Sequence, residues 1–488
     1  MSPELARPGA ALAALGFAVL VTSSTRRSRL AALACWAVGS GMLALALAPS
    51  GHHRLLAAAA LLGAALAVLL AWLFLRFPWA LAVALLACAP ARIPVSRLGE
   101  VGGAKANLLL PLYLVVAAAV LALAWELAHG DVRGRELGPF TWPLALFVAW
   151  DGVGLSWSEA GAGVGRHAGA VDLLFYVLPL SLLALSLARL PWRIRWAKVL
   201  YAQLALMGLL FALIGVWQYL TRNIYWNPKV KVDNAYAPVS WFYRVNSIFY
   251  DPSIYGRFLV VAILASLVLV LFGHGPVRWL AAAAASVTML GLVPSFSQSS
   301  FVALAAGIVA VLIVLWRRRA LAPLAVAAAA LVVVSLGVPQ LRHRILGHAG
   351  LAQATGGRAP LVSHGLDLFF HHPLVGVGTG SFAAAYSEET GKPTKLAASH
   401  DAPITVAAET GLPGIALLGW LLVLVFSLPF RANRGETATG RARLGLGLGL
   451  VAIVVHSLFY NALLEDPLFW GLIALSAVAL REPERERV

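Results

Sequence analysis

A chain of 488 residues that is 60% hydrophobic and 12% charged, with a mean hydropathy of +0.83, is too apolar to be a water-soluble domain of its size. Its 37 Lys and Arg against 21 Asp and Glu give +16, which in a soluble protein would raise nucleic acid as a partner. Here the basic residues sit in short gaps between apolar runs, the pattern of cytoplasmic loops in a membrane protein, and no nucleic acid is expected. Cys35 and Cys88 both lie inside apolar runs, which excludes a disulfide framework or a cysteine metal knuckle.

Apolar runs of about 20 residues, the length a helix needs to cross a bilayer core of roughly 30 Å, recur from residue 9 to residue 480, about fourteen in all. The chain reads as all-α, a polytopic integral membrane protein of about 12–15 transmembrane helices forming one domain over residues 1–488. Residues 1–220 form an Ala-, Leu- and Val-rich scaffold half, with connectors such as 91–105, 130–139 and 156–170. The first run is expected to be a retained helix, because its basic cluster follows it and no small-residue cleavage site ends it. Trp72, Trp79, Trp125, Trp142, Trp150 and Trp157 fall near run ends, as interfacial aromatics do.

Residues 221–253 are the first long hydrophilic gap and mix Lys229, Lys231 and Arg244 with Tyr225, Trp226, Trp241, Phe242 and Tyr243. Flat rings beside hydrogen-bonding groups suit sugar faces, and the cations suit phosphate; the same composition also suits a loop lying on lipid headgroups. Spans at 254–272, 279–293, 301–316 and 321–338 follow with very short connectors. With Arg317, Arg318 and Arg319 taken as cytoplasmic, alternation puts loops 221–253 and 340–402 on one non-cytoplasmic side. Spans at 412–430, 444–459 and 468–480 then lead to a last span and tail, 462–488, with a cytoplasmic C-terminus and no appended soluble domain.

The segment 355–414 holds most of the chemistry-bearing side chains: Arg358, His364, Asp367, His371, His372, His400, Asp401 and Glu409. Helical spacing starts at Arg358 and is stopped by His372-Pro373, since the residue before a proline resists the α conformation. Gly376-Val377-Gly378-Thr379-Gly380 follows. Its spacing is not that of a dinucleotide loop, and it reads as a tight turn that lets backbone approach another element. Ser399 or Asp401 caps a helix with Pro403 in its first turn, running to Glu409 and stopping at Gly411. At about 100° per residue Glu409 falls on the opposite side from His400 and is expected to be a structural tie. The histidines are not at i and i+4 spacing, no H-E-x-x-H occurs and no cysteine is close, so no metal is expected. A serine hydrolase is disfavoured by the lack of a G-x-S-x-G elbow.

Three signals in order, R-V-N-S-I-F-Y-D-P-S-I-Y-G-R-F from Arg244, H-P-L-V-G-V-G-T-G-S-F from His372 and S-H-D-A-P-I-T-V-A-A-E-T-G-L-P-G-I from Ser399, resemble the O-antigen ligase and polymerase superfamily of bacterial membrane glycosyltransferases. The resemblance covers residues 223–461, with 221–461 as the ligase- or polymerase-like region. It implies a fold resembling the C-type membrane glycosyltransferases, a glycan donor carried on undecaprenyl diphosphate, and no cofactor. His400 would then take the proton from an acceptor hydroxyl, and Arg244 and Arg358 would hold the diphosphate, with Lys229, Lys231 and Arg257 as substitutes. Two departures stand out: Asp401 where many relatives have Asn, and Asp251-Pro252-Ser253 where they have N-P-N.

The residue chemistry is compatible. Guanidinium pairs stabilise a diphosphate leaving group by forked, charge-assisted hydrogen bonds, and imidazole titrates near neutrality as a general base requires. The sequence thus points to an inverting, metal-independent glycosyltransferase of the bacterial inner membrane, acting on its outer face. The acceptor is left open among a growing glycan, a lipid A core and a protein hydroxyl. The alternative is a flippase or transporter for lipid-linked glycan without covalent chemistry. Its expected signs are broken helices and intramembrane charges, whereas the charges here cluster in two loops.

Overall fold

The computed structural model describes residues 3–47, 53–91, 93–94, 107–158, 163–191, 193–224, 243–320, 322, 325, 358–391, 399–432 and 435–481. In lipid each backbone N–H and C=O must be satisfied within its own element, and the Ala- and Leu-rich runs do so as helices. In order these are α1 (Ala6–Thr22), α2 (Arg26–Leu47), α3 (His53–Arg76), α4 (Trp79–Cys88), α5 (Leu110–Ala128), α6 (Thr141–Gly154) and α7 (Val164–Asp172). A π turn (Leu173–Val177) joins α7 to α8 (Leu178–Ala188), followed by α9 (Ile194–Thr221), α10 (Pro252–Phe272), α11 (Gly275–Leu292) and α12 (Gln298–Trp316). The last five are α13 (Arg358–His371), α14 (Phe382–Thr390), α15 (Ala402–Ser427), α16 (Ala438–Ser457) and α17 (Pro467–Arg481). Ile93 pairs with Leu108 and Pro94 with Asn107 in a two-residue antiparallel ladder.

Among the described residues nine helices are long and apolar enough to cross a membrane, and four shorter apolar helices accompany them. This is an all-α polytopic membrane protein. The expected span 321–338 lies outside the described residues apart from 322 and 325. The expected connector 156–170 is helical from Val164, because Gly163 takes a left-handed φ of 97° and turns the chain into α7. The long loop 340–402 contains two helices, α13 and α14.

Among the described residues the core is built around three spans. The apolar windows of α7–α8 and α10 are 78% and 72% buried and that of α16 is 56%, against 22% for α2 and α11 at the rim. Rim residues such as Leu61, Trp72 and Trp279 stay exposed, as a lipid-facing surface requires.

Hydrogen bonds sort the connections onto two ends of the bundle. At one end Gln218 of α9 and Ser247 exchange two bonds, of 2.8 and 2.9 Å. There too Val245 N–H donates to Pro294 O at 3.0 Å, Ser299 of α12 pairs with His456 of α16, and Trp157 beyond α6 donates to Val375 O. At the other end Arg443 of α16 donates to Ala479 O of α17, and Arg481 to Ala188 O of α8. The segments preceding α10, α12 and α15 therefore gather at one end.

The opposite end is clamped by a buried ion cluster. Glu136 Oε1 lies 2.6 Å from Arg29 Nη1 and 2.7 Å from Arg189 Nη1, with both its own side chain and that of Arg29 fully buried. Arg189 also reaches Glu126 at 2.7 Å and Asp131 at 3.3 Å, so one cluster ties α2, α5, the 129–136 turn and α8. Removing one partner of a buried ion cluster leaves like charges uncompensated in low dielectric. Glu136→Ala is expected to destabilise the detergent-solubilised protein by about 3–5 kcal/mol in equilibrium unfolding; a change below about 1 kcal/mol would mean the cluster is solvated.

Candidate functional site

The H-P-L-V-G-V-G-T-G-S-F segment is a docking turn. Its backbone crosses α15: Val377 N–H donates to Ala408 O and Gly378 N–H to Glu409 O, both at 2.9 Å. The Glu409 carboxylate then closes the turn, with Oε2 accepting from Gly380 N–H and Oε1 from Phe382 N–H, each at 3.0 Å. Gly376, Gly378 and Gly380 all have positive φ, of 69°, 97° and 75°. At Gly380 a side chain is doubly barred, because a Cβ would also collide with the backbone of Gly169 in α7.

The other face of the turn is fastened to the first half of the chain. Thr379 Oγ1 donates to Asp151 O at 2.7 Å and lies 3.0 Å from its Oδ1, and Ser158 Oγ donates to Thr379 O at 3.0 Å. The Ser158 and Ser381 hydroxyls also bond each other. Trp157 Nε1 donates to Val375 O at 3.1 Å and Trp150 Nε1 to Thr410 O at 2.8 Å. Trp150 and Trp157, expected as interfacial aromatics, are thus ties between the first half and the docking turn. Close approach is possible because Gly165 and Gly169 in α7 leave room for Ser381 and Thr379. That G-x-x-x-G step was the one sequence signal of it, a small-residue pair that lets backbones approach.

The docked turn carries α13 and α15 with it. Gly365 lies against Ile404 and Phe382, and Leu368 shares a small core with Phe382, Ala385 and Ala408. The two helices therefore run in the same direction, and their N-terminal turns lie at the same end of the bundle. Arg358 is the first residue of α13, and nothing is described of its side chain. His400 immediately precedes Asp401, the N-cap of α15, whose Oδ1 accepts from Ile404 N–H at 3.0 Å. Ser399 Oγ accepts from Asp401 N–H at 3.1 Å and lies 2.9 Å from Thr405 Oγ1. Between these braces His400 adopts a left-handed φ of 63°, a conformation that costs a non-glycine residue on the order of 1–3 kcal/mol. Burial pushes the Asp401 carboxyl above its usual range, partly opposed by the Ile404 N–H.

Arg244 stands at the same end. Its Nε donates to Ser295 O at 3.0 Å, and Nη2 lies 3.4 Å from Ser253 Oγ. The Asp251-Pro252-Ser253 departure has a structural role here: Asp251 caps α10 by accepting from Ser253 N–H at 2.6 Å, while the Ser253 hydroxyl touches Arg244. Arg257 differs from Arg244. It is 2% exposed, its Nε lies 2.9 Å from Asp466 Oδ2, and Nη1 donates to Ala462 O. Its charge is already balanced by a carboxylate, which disfavours it as a substitute phosphate ligand. Lys229 and Lys231 lie outside the described residues.

Two other histidines of the segment have local partners for their side chains. His364 Nε2 lies 2.9 Å from Glu389 Oε2, its ring edge-on to Tyr386, and His371 Nδ1 pairs with Asp367 O of its own helix at 2.8 Å. Among the described residues no three His, Cys, Asp or Glu side chains converge as metal ligands would. At the helix stop expected at Gly411 the chain kinks, with φ 65° and ψ −161°, and then resumes its helix to Ser427. Leu412 N–H donates instead to Pro373 O at 2.8 Å, so the kink is a further contact with the docking turn.

Residues 280–419 match a family model described as O-Antigen ligase. The matched stretch contains Arg358, the docking turn, His400 and Glu409, and the superfamily resemblance read from the motifs holds over it. No curated protein matches the chain.

Glu409→Ala strands the Gly380 and Phe382 amides, and since each buried donor left without a partner costs about 1–3 kcal/mol, a loss of about 3 kcal/mol is expected in detergent unfolding. Glu409→Gln, which keeps one acceptor oxygen, should lose less. Equal stability of wild type and Glu409→Ala would refute the tie. For Asp401, a folded-state pKa raised above the unfolded one means that ionisation costs folding energy. That cost is absent below the unfolded pKa and grows as pH rises through the folded pKa. Asn keeps the cap but has no charge. The melting temperature of Asp401→Asn relative to wild type should therefore rise from acidic to neutral pH, and a difference constant with pH would contradict the burial of this carboxyl.

Proposed function

We propose that this protein transfers a glycan from undecaprenyl diphosphate to an acceptor hydroxyl, with inversion at the anomeric carbon and without a metal. The O-Antigen ligase match over residues 280–419 supports a glycan-transferring role. The observation that carries the finer reading is the gathering, at one end of the bundle, of Arg244, the helix headed by Arg358 and the braced His400.

The roles follow from the chemistry. Arg244 and Arg358 bind the two phosphates and stabilise the charge that develops on the diphosphate as the anomeric bond breaks. His400, in its neutral form, accepts the proton of the acceptor hydroxyl as it attacks from the opposite face. Asp401 Oδ1 is engaged by the Ile404 amide, so it serves the helix cap. The far end of the bundle carries Arg26, Arg27, Arg193, Arg195, Lys198, Arg278, Arg317 and Arg319 in its connections and the helix turns next to them. By the positive-inside rule that end is cytoplasmic, which puts the site on the outer face of the inner membrane, where lipid-linked glycans and a lipid A core or growing polymer would meet.

Purified protein in liposomes, given undecaprenyl-diphosphate glycan and an envelope extract as acceptor, is expected to form a glycosylated product. His400→Ala should lower the rate by about 10²–10⁴-fold. Arg358→Ala or Arg244→Ala should lower it by about 10²–10³-fold. A size ladder of products identifies a polymerase and a single addition a ligase. Full activity in His400→Ala would overturn the assignment of the base. Donor that changes leaflets without any bond to the acceptor would replace the transferase by a transporter.

A further inference from the structure

At the end of the bundle opposite Arg244 and His400, a cavity of about 600 Å³ opens between α4, α9, α10, α16 and α17. Its size falls within the range of about 300–1,000 Å³ typical of ligand sites. The walls are almost wholly aliphatic, from Leu85, Leu204, Val261, Val268 and Leu472 among others. Along α10 the lining runs from Val261 to Phe272, eleven residues on, or about 16 Å at 1.5 Å per residue. That is about half of a bilayer core of roughly 30 Å, the depth of one leaflet.

The mouth is cationic. Lys198, His274 and Arg441 line it, and no carboxylate does among the described residues. Lys198 is exposed and has no hydrogen-bond or ion-pair partner among the described residues. Arg441 is held in place by Nε donating to Gly435 O at 2.9 Å, with its guanidinium over the Phe272 ring. Beside the mouth Trp79 and Trp196 stack at 5.3 Å under Arg195, an aromatic pair of the kind that sits at headgroup depth.

We propose that this cavity is a binding site for an anionic glycerophospholipid of the leaflet opposite the candidate active site, with an acyl chain between α10 and α16 and the phosphate at Lys198, His274 and Arg441. The positive-inside rule explains why cations collect at this end. It does not explain why they ring an apolar hollow one leaflet deep, which is the shape of a basic lipid pocket between transmembrane helices. The donor's diphosphate, held at the other end of α10, is a separate ligand, and the proposal stands whether or not the chain transfers glycan.

The test is native mass spectrometry of the purified full chain, delipidated in detergent and given equimolar phosphatidylglycerol and phosphatidylcholine with identical acyl chains. Wild type should retain phosphatidylglycerol on the order of tenfold more than phosphatidylcholine. Lys198→Glu, at an exposed position that leaves the core intact, should lose that preference. Gly445→Phe should lower retention of both lipids severalfold, because a Cβ at Gly445 meets only Val268, at 3.9 Å, and a larger ring enters the hollow. Equal retention of the two lipids by wild type, or undiminished phosphatidylglycerol binding in Lys198→Glu, overturns the proposal. Should Gly445→Phe fail to fold, the Lys198 comparison decides.

Discussion

One carboxylate in the second half of the chain, Glu409, holds the backbone of a glycine turn in place, and the placement of the candidate site follows from that. With the Gly380 and Phe382 amides closed onto it, the turn presents Thr379 and Ser381 to α6 and α7, which otherwise share no sequence neighbourhood with it. The turn also connects α13 to α14, and α15 begins only seven residues before Glu409, so docking it fixes where the helices that follow Arg358 and His400 begin. Polar atoms at such depth must find partners within the protein. The density of bonds from Trp150, Asp151, Trp157 and Ser158 meets that requirement.

The local parts of this arrangement were legible in the sequence. Pro373 ends α13 at His371, and Asp401 with Pro403 begins α15, because both boundaries are set by the conformational limits of proline and by side-chain capping within four residues. The close approach expected of the glycine run and the structural role expected of Glu409 both describe geometry now visible. What could not be read was the partner. Nothing near residues 150–170 announces that it receives residues 375–382, apart from Gly165 and Gly169 one helical turn apart. Tryptophans near a run end look alike whether they face headgroups or another loop. Gly411 marks a break, but only the bond from Leu412 to Pro373 explains why the helix resumes beyond it.

Charge divides the molecule. At one end guanidiniums are sequestered: Arg29 and Arg189 share Glu136, as Arg257 is held by Asp466 nearer the candidate site. Such buried pairs register helices against one another. Arg244, at the end where α15 begins, is braced by the Ser295 carbonyl and the Ser253 hydroxyl.

The central claim is that the glycine turn is a fixed part of the bundle on which the site is built. Hydrogen exchange of residues 376–382 in the intact, detergent-solubilised protein tests it most directly. The Val377, Gly378, Gly380 and Phe382 amides, all bonded to α15, should exchange as slowly as the core of α10. Exchange of these four amides at the rate of an open surface loop would contradict the account, and with it the basis for placing His400 and Arg358 together.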